Sequence, residues 1–240
     1  MCNTWRSAND WACRPFGGSL EADRGSQHSS MPEQNWQSFA LLLVDVQHDF
    51  WTEQLQTDFP HFQQNTVELL QFCRQSGIEV IHLREVFSPD KTDWLPRYLL
   101  RGRSPCVRGT KGAGVLDFAV EQPGEKVLEK QTQNGFHNLE LLPYLRSKDK
   151  RFLLVAGLVT SVCVVFTATS AAQVGFLSAI VSDCCADYSE AHALALRRYK
   201  GFLLDVATSG ELPDKNQEWA EQIRRLAVEQ QLFAADRGLA

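Results

Sequence analysis

Apolar positions along the chain follow two different periods in alternation. Largely apolar runs occur at 39–46 (FALLLVDV), 78–83, 152–156 and 176–182, that at 152–156 unbroken. Such runs mark strands covered on both faces. Shorter segments at 126–130 (KVLEK) and 202–206 bring the number of predicted strands to six. Between them the spacing changes to that of amphipathic helices. Over 61–76, Phe62, Leu69, Leu70, Phe72 and Cys73 fall on one side and Gln63, Gln64, Glu68 and Gln71 on the other, with Gly77 as the stop. Further helices are predicted over 138–146, from the turn that holds Cys163 to Val174, over 189–199 with Ser189 as N-cap, and over 215–231. Strand and helix alternate throughout, which predicts an α/β fold with a six-stranded parallel sheet and helices on both faces.

Two segments break this pattern. The first 38 residues lack periodicity and are rich in Ser, Gly, Asn and Gln, so a mobile extension is expected over 1–38 and a single domain over 39–240. Cys2, Cys13 and His28 in that extension lack the spacing of a metal site. Residues 86–114 hold three prolines and four glycines and read as a long irregular loop, a type that often covers a binding site. That loop sets Lys91, Arg97, Arg101, Arg103, Arg108 and Lys111 against Asp90 and Asp93.

At 240 residues and 44% hydrophobic content the chain can bury a full core. A net charge of −5 predicts no general attraction to nucleic acid or to an anionic membrane. No apolar run reaches the roughly 20 residues of a membrane span. Seven cysteines, several in apolar surroundings, suit a reducing compartment better than a disulfide framework, and a cytoplasmic location is expected.

In a parallel α/β sheet, ligands bind beyond the carboxyl ends of the strands. Three reactive residues fall at that edge: Asp45 ends the first strand, Lys130 the third, and Cys163 follows the fourth. An acid to accept a thiol proton, a cation to hold the acid, and a thiol in the first turn of a helix form a nucleophilic site. The helix start predicts a lowered thiol pKa. The competing reading is a buried Asp–Lys pair beside an inert core cysteine. Gln47 and Phe50, just past Asp45, and Trp94, Arg97, Tyr98 and Phe136 are candidates to line the pocket, with Arg97 a candidate to hold a substrate carboxylate. His137 and Tyr188 are weaker candidates, and Cys184 and Cys185 point to opposite faces.

The stretches LLLVDVQHDF, LEKQTQNGFHN, VAGLVTSVCVVFTATSAAQVGF and VSDCCAD resemble the signatures of the isochorismatase-like cysteine hydrolases, the superfamily of nicotinamidases and N-carbamoylsarcosine, ureidoacrylate and biuret amidohydrolases. The resemblance spans about residues 40–206. It implies a Rossmann-like three-layer α/β/α sandwich and a triad of Asp45, Lys130 and Cys163. It also implies a non-proline cis peptide at Leu158–Val159 and an oxyanion hole from the Val159 and Cys163 N–H groups. The activity implied is that of a cysteine-dependent amidohydrolase that cleaves a C–N bond of a small amide or ureide. Alternatives are a vinyl-ether hydrolase of the same fold acting through Asp45, and a non-catalytic binding protein. Metal-dependent nicotinamidases carry an Asp-x-His motif after the second strand, where this chain has HLREVFSPDKTDW. No metal or other cofactor is therefore expected, nicotinamide is not the expected substrate, and the partners expected are a small-molecule substrate and further copies of the chain in a homo-oligomer.

Overall fold

In a computed structural model, residues 35–236 are described, and the sheet they form has six strands, all parallel. These are β1 (Phe39–Val44), β2 (Glu79–Glu85), β3 (Lys126–Lys130), β4 (Phe152–Leu158), β5 (Leu177–Ala186) and β6 (Asp205–Ala207). Their order is β3-β2-β1-β4-β5-β6. β1 and β4 lie at the centre, which is why every one of their residues is apolar or glycine and buried. Seven α-helices accompany the sheet: α1 (Glu53–Asp58), α2 (Phe62–Gln75), α3 (Pro96–Arg101), α4 (Leu141–Ser147), α5 (Val165–Gln173), α6 (Ser189–Tyr199) and α7 (Leu212–Asp236).

The helices cover both faces, as the strand register requires. Phe152 stacks on Trp219 of α7, with ring centroids 4.6 Å apart. The next position, Leu153, is paired with Ser178, whose hydroxyl donates to Ala168 O in α5. Successive side chains point to opposite faces of a strand, so α7 and α5 lie on opposite sides of the sheet.

Several boundaries differ from those the pattern predicts. Trp36 is buried with its ring edge against Phe39 and Phe72, so ordered packing begins ahead of residue 39. The rest of the expected extension, 1–34, lies outside the described residues. β5 runs on to Ala186 because its pairing with β4 jumps from Val155↔Ile180 to Gly157↔Cys185, a bulge on the β5 side. Asp183 within it is anchored by Asn65, which donates to its carbonyl, and by Ser209, which donates to its carboxylate. Residues 201–204 form a turn with Phe202 exposed, and the last strand starts only at Asp205. Tyr188, not Ser189, occupies the N-cap of α6, and its side chain is exposed. α7 begins earlier and ends later than expected, after a capping box between Thr208 and Glu211. The basic loop is not wholly irregular: it holds α3, opened by Pro96 and closed by Gly102 at φ +67.

Strand order reverses between β1 and β4, which opens the crevice at this point. Gly157 allows the two strands to approach there. It sits at φ +123, and a Cβ on it would lie 2.0 Å from Val44 O. Gly157→Ala is expected to destabilise the fold by about 2–4 kcal/mol, because backbone cannot move aside as a flexible side chain can. An unchanged urea midpoint would refute this account of the β1–β4 contact.

Candidate active site

Asp45 follows β1 directly and takes up φ +50, with its N–H donating to Leu83 O at 2.8 Å. Its side chain is fully buried. Lys130, at the end of β3, extends its long side chain toward β1 and donates to Asp45 Oδ2 at 2.7 Å and to Thr132 O at 2.8 Å. The other carboxylate oxygen, Oδ1, is buried, and the Cys163 thiol lies within hydrogen-bonding reach of this carboxylate. Cys163, 4% exposed, interacts electrostatically with both members of this pair. The three residues expected to act together are therefore brought together.

Cys163 belongs to a π turn, Thr160–Val164, that leads into α5. One-turn π segments of this kind recur at functional sites. The turn follows a cis peptide at Leu158–Val159. Among the described residues, the Val159 N–H makes no backbone hydrogen bond. Side chains from just past the end of β5 and from α6 pin the turn. Ser161 donates to Asp187 Oδ2 through both its N–H (2.8 Å) and its hydroxyl (2.5 Å), and Thr160 Oγ1 shares a hydrogen bond of 2.8 Å with His192 Nδ1 of α6. Burial lowers the His192 pKa, so the ring is held neutral.

The expected lowering of the Cys163 pKa is not found. Burial raises it well above the ordinary thiol value, and the Asp45 carboxylate raises it further. The favourable end of a helix is a modest effect, and here desolvation of the thiolate outweighs it. The resting group is a thiol, which needs a base at the moment of reaction. Burial likewise raises Asp45 despite the Lys130 charge beside it, so this carboxylate is a better proton acceptor than an exposed one. For Lys130, burial works toward a lower pKa, but the charges of Asp45 and its neighbours prevail and keep the ammonium protonated.

A second acid also lies at this edge, and the expected set did not include it. Glu85 ends β2, pairs with Lys130 in the β2–β3 register and is buried. Burial pushes its pKa up to about 7, against the pull of Lys130. Its only mark in the sequence is its position: like Asp45 and Lys130, it closes a strand at the carboxyl edge.

The candidate lining residues divide. Gln47 is fully buried and spends its amide on backbone, donating to Glu85 O and Ala113 O and accepting from Glu85 N. It clamps β2 to the following loop. Phe50 is half-buried against the core. Phe136 places its ring 6.2 Å from Phe176, the residue before β5, and so faces the amino-terminal end of the sheet. His137 is exposed. Trp94 donates its indole N–H to Ser88 O and lies under Lys91. Arg97 is exposed on α3. Tyr98, by contrast, is half-buried, set edge-on to Phe87, accepts a hydrogen bond from Gln133, and interacts with the charges of Glu85 and Cys163.

Tyr98 also lines a cavity of about 330 Å³ with Asp49, Arg101, Arg103, Ser104 and Pro105. This cavity sets two arginines of the basic loop beside the site. A cavity of about 380 Å³ between α7 and the residues Arg151, Gly175 and Leu177 lies at the opposite end of the strands from Cys163. Among the described residues no three His, Cys, Asp or Glu side chains are grouped to hold a metal. His82, within β2, is engaged by Glu125, which also binds Arg74. No helix among the described residues is long and apolar enough to cross a membrane.

Comparison with known proteins agrees with this fold. The chain is 27% identical over 196 residues to maleamate amidohydrolase from Pseudomonas putida, covering 78% of this chain and 88% of that protein. It is 24% identical over 199 residues to a protein of Arabidopsis thaliana named a probable inactive nicotinamidase, covering 79% and 98%. Its fold matches the crystal structure of an isochorismatase family protein from Desulfovibrio vulgaris with a TM-score of 0.68 at 24% identity, over 74% of this chain and 97% of that one. The isochorismatase domain, as a family model, matches residues 39–211, from the first residue of β1 to the turn before α7. With all six strands and the three strand-end residues inside that match, the chain belongs to the isochorismatase family of hydrolases.

Proposed function

We propose that the chain is a cysteine-dependent amidohydrolase that cleaves the C–N bond of a small amide or ureide through a thioester on Cys163. The observation that carries this reading is a buried carboxylate with one oxygen held by Lys130, within hydrogen-bonding reach of a buried neutral thiol. Asp45 takes the Cys163 proton as the sulfur attacks the carbonyl carbon. The oxygen that becomes negative is stabilised by the N–H groups of Val159 and Cys163, a contribution of roughly 3–4 kcal/mol per donor where such groups have been removed. The tetrahedral adduct collapses, the C–N bond breaks, and the leaving nitrogen carries off the proton that Asp45 received. Water then gives a proton to Asp45 as its oxygen attacks the thioester, and the sulfur leaves and recovers that proton.

The name of the Pseudomonas relative, an amidohydrolase, supports a C–N bond as the target. A vinyl-ether hydrolase would need Asp45 but would have no use for a thiol beside it. For an acidic substrate, Arg101 and Arg103 are better placed than Arg97 as carboxylate partners, since they line the cavity that Tyr98 shares. Tyr98 remains an apolar wall in this reading.

Cys163→Ala should abolish ammonia release from a panel of small amides and ureides while circular dichroism shows an intact fold. Most of the activity surviving in that variant would end the thioester mechanism. Asp45→Asn should cost at least about 100-fold in kcat, the usual range for a general base. Activity there close to that of the parent protein would require another base. Dialysis against EDTA should leave the rate unchanged, and restoration of a lost rate by zinc or manganese would show that a metal takes part.

A further inference from the structure

The mechanism above makes no use of Glu85, yet its placement is unusual. Its side chain is 1% exposed and Oε1 has no hydrogen-bond partner. A buried carboxyl oxygen left unpaired is costly, because desolvation is not offset by any bond. The backbone around it is held with care. Glu85 N donates to Gln47 Oε1 and Gln47 Nε2 donates to Glu85 O, both at 2.9 Å, so the residue is fixed on either side of its Cα while Oε1 has no partner. The nearest cation, Lys130, directs N–H groups to Asp45 Oδ2 and Thr132 O. Asp45, Lys130, Tyr98, Cys106 and Cys163 all interact with the Glu85 charge, which places that carboxyl in the group that surrounds the thiol.

We propose that Glu85 is a substrate-binding residue whose free oxygen accepts a hydrogen bond from the N–H of the amide or ureido group under attack. The preferred substrate then carries a primary carboxamide or carbamoyl nitrogen, because an ester would face Glu85 with a lone pair in place of a proton. This rests on Cys163 being the group that attacks. It also gives the buried oxygen the partner it lacks in the free protein. The competing account is structural: Glu85 serves as a second counter-charge for Lys130 and contributes only to stability.

Reaction of the full-length protein with two probes that differ only in the group beside the carbonyl separates these accounts. Iodoacetamide presents N–H groups and methyl iodoacetate does not, and Cys163 labelling by each is followed by peptide mass spectrometry, with glutathione as the free-thiol reference. The ratio of the two rate constants cancels thiol ionisation. In the parent protein the ratio should exceed that of glutathione by about 10-fold, the scale of one hydrogen bond to a charged group. It should fall to the glutathione value in Glu85→Leu, which removes the acceptor at similar size, and stay partly raised in Glu85→Gln, which keeps one acceptor oxygen. The melting temperature of Glu85→Leu should equal or exceed that of the parent, since an unpaired buried carboxyl is removed. A parent ratio equal to that of glutathione, or a raised ratio that survives in Glu85→Leu, would overturn the assignment. A fall in melting temperature with the ratio preserved would establish the structural account instead. Failure of the thioester mechanism would be seen separately, as amide hydrolysis by Cys163→Ala.

Discussion

The buried pair between Lys130 and Asp45 is the constraint on which the carboxyl edge of this sheet depends. Neither side chain has access to water, and an isolated charge of either sign would be untenable there. The pair spans three adjacent strands, with β2 between the two strands whose ends it joins. Lys130 must therefore lie at the end of β3, and Asp45 must turn out of β1 at a positive φ to meet it. Pairs of this kind contribute little net stability, since desolvation offsets the attraction. Their value here is positional: one carboxylate oxygen is fixed, and the other is left pointing where a proton can arrive.

The neutral thiol follows from the same constraint. Cys163 is buried beside the Asp45 carboxylate, so a thiolate would have to form without solvent and next to an acidic group. A thiol that is ionised beforehand and a thiol that is deprotonated only as it attacks are different chemical devices. The first uses a nearby cation or helix end, whereas the second uses a base whose own pKa is raised. Burial raises Asp45 as well as Cys163, so the acceptor is more basic than an exposed carboxylate and the donor less acidic than an exposed thiol. General-base catalysis of this kind uses a basic carboxylate within reach of the proton and does not require an ionised thiol at rest.

Much of this was legible in the sequence because it depended on local pattern. The continuous apolar runs of β1 and β4 required cover on both faces, and the positions of Asp45 and Lys130 at strand ends followed from where those runs stop. What escaped depended on tertiary surroundings. The Cys163 pKa is set by burial and by a carboxylate over a hundred residues away, and the start of a helix, the only cue nearby, points in the other direction. The bulge in β5 is a matter of register with β4, which neither strand encodes alone. Arg97 and Phe136 were plausible neighbours of the site by order along the chain, but the helix that carries Arg97 leaves its side chain exposed and Phe136 packs toward the other end of the sheet. Glu85 was hidden because a charged residue at the end of a strand is usually solvated.

The close approach of β1 and β4 at Gly157 explains why so much charge can be gathered at one point. Without a side chain there, Val44 O and the β4 backbone come into contact, and the crevice at the reversal of strand order narrows to the width of the residues that follow each strand. Asp45 and the turn bearing Cys163 are those residues. The basal charge of the crevice is then one lysine against two carboxyls, Asp45 and Glu85, with Glu85 pushed up to about 7 by burial. Near neutral pH Glu85 is poised between its neutral and its charged form. A substrate that brings N–H donors and no negative charge at the reacting group suits both states, and a carboxylate carried elsewhere on it would find Arg101 and Arg103 in the cavity that Tyr98 also lines.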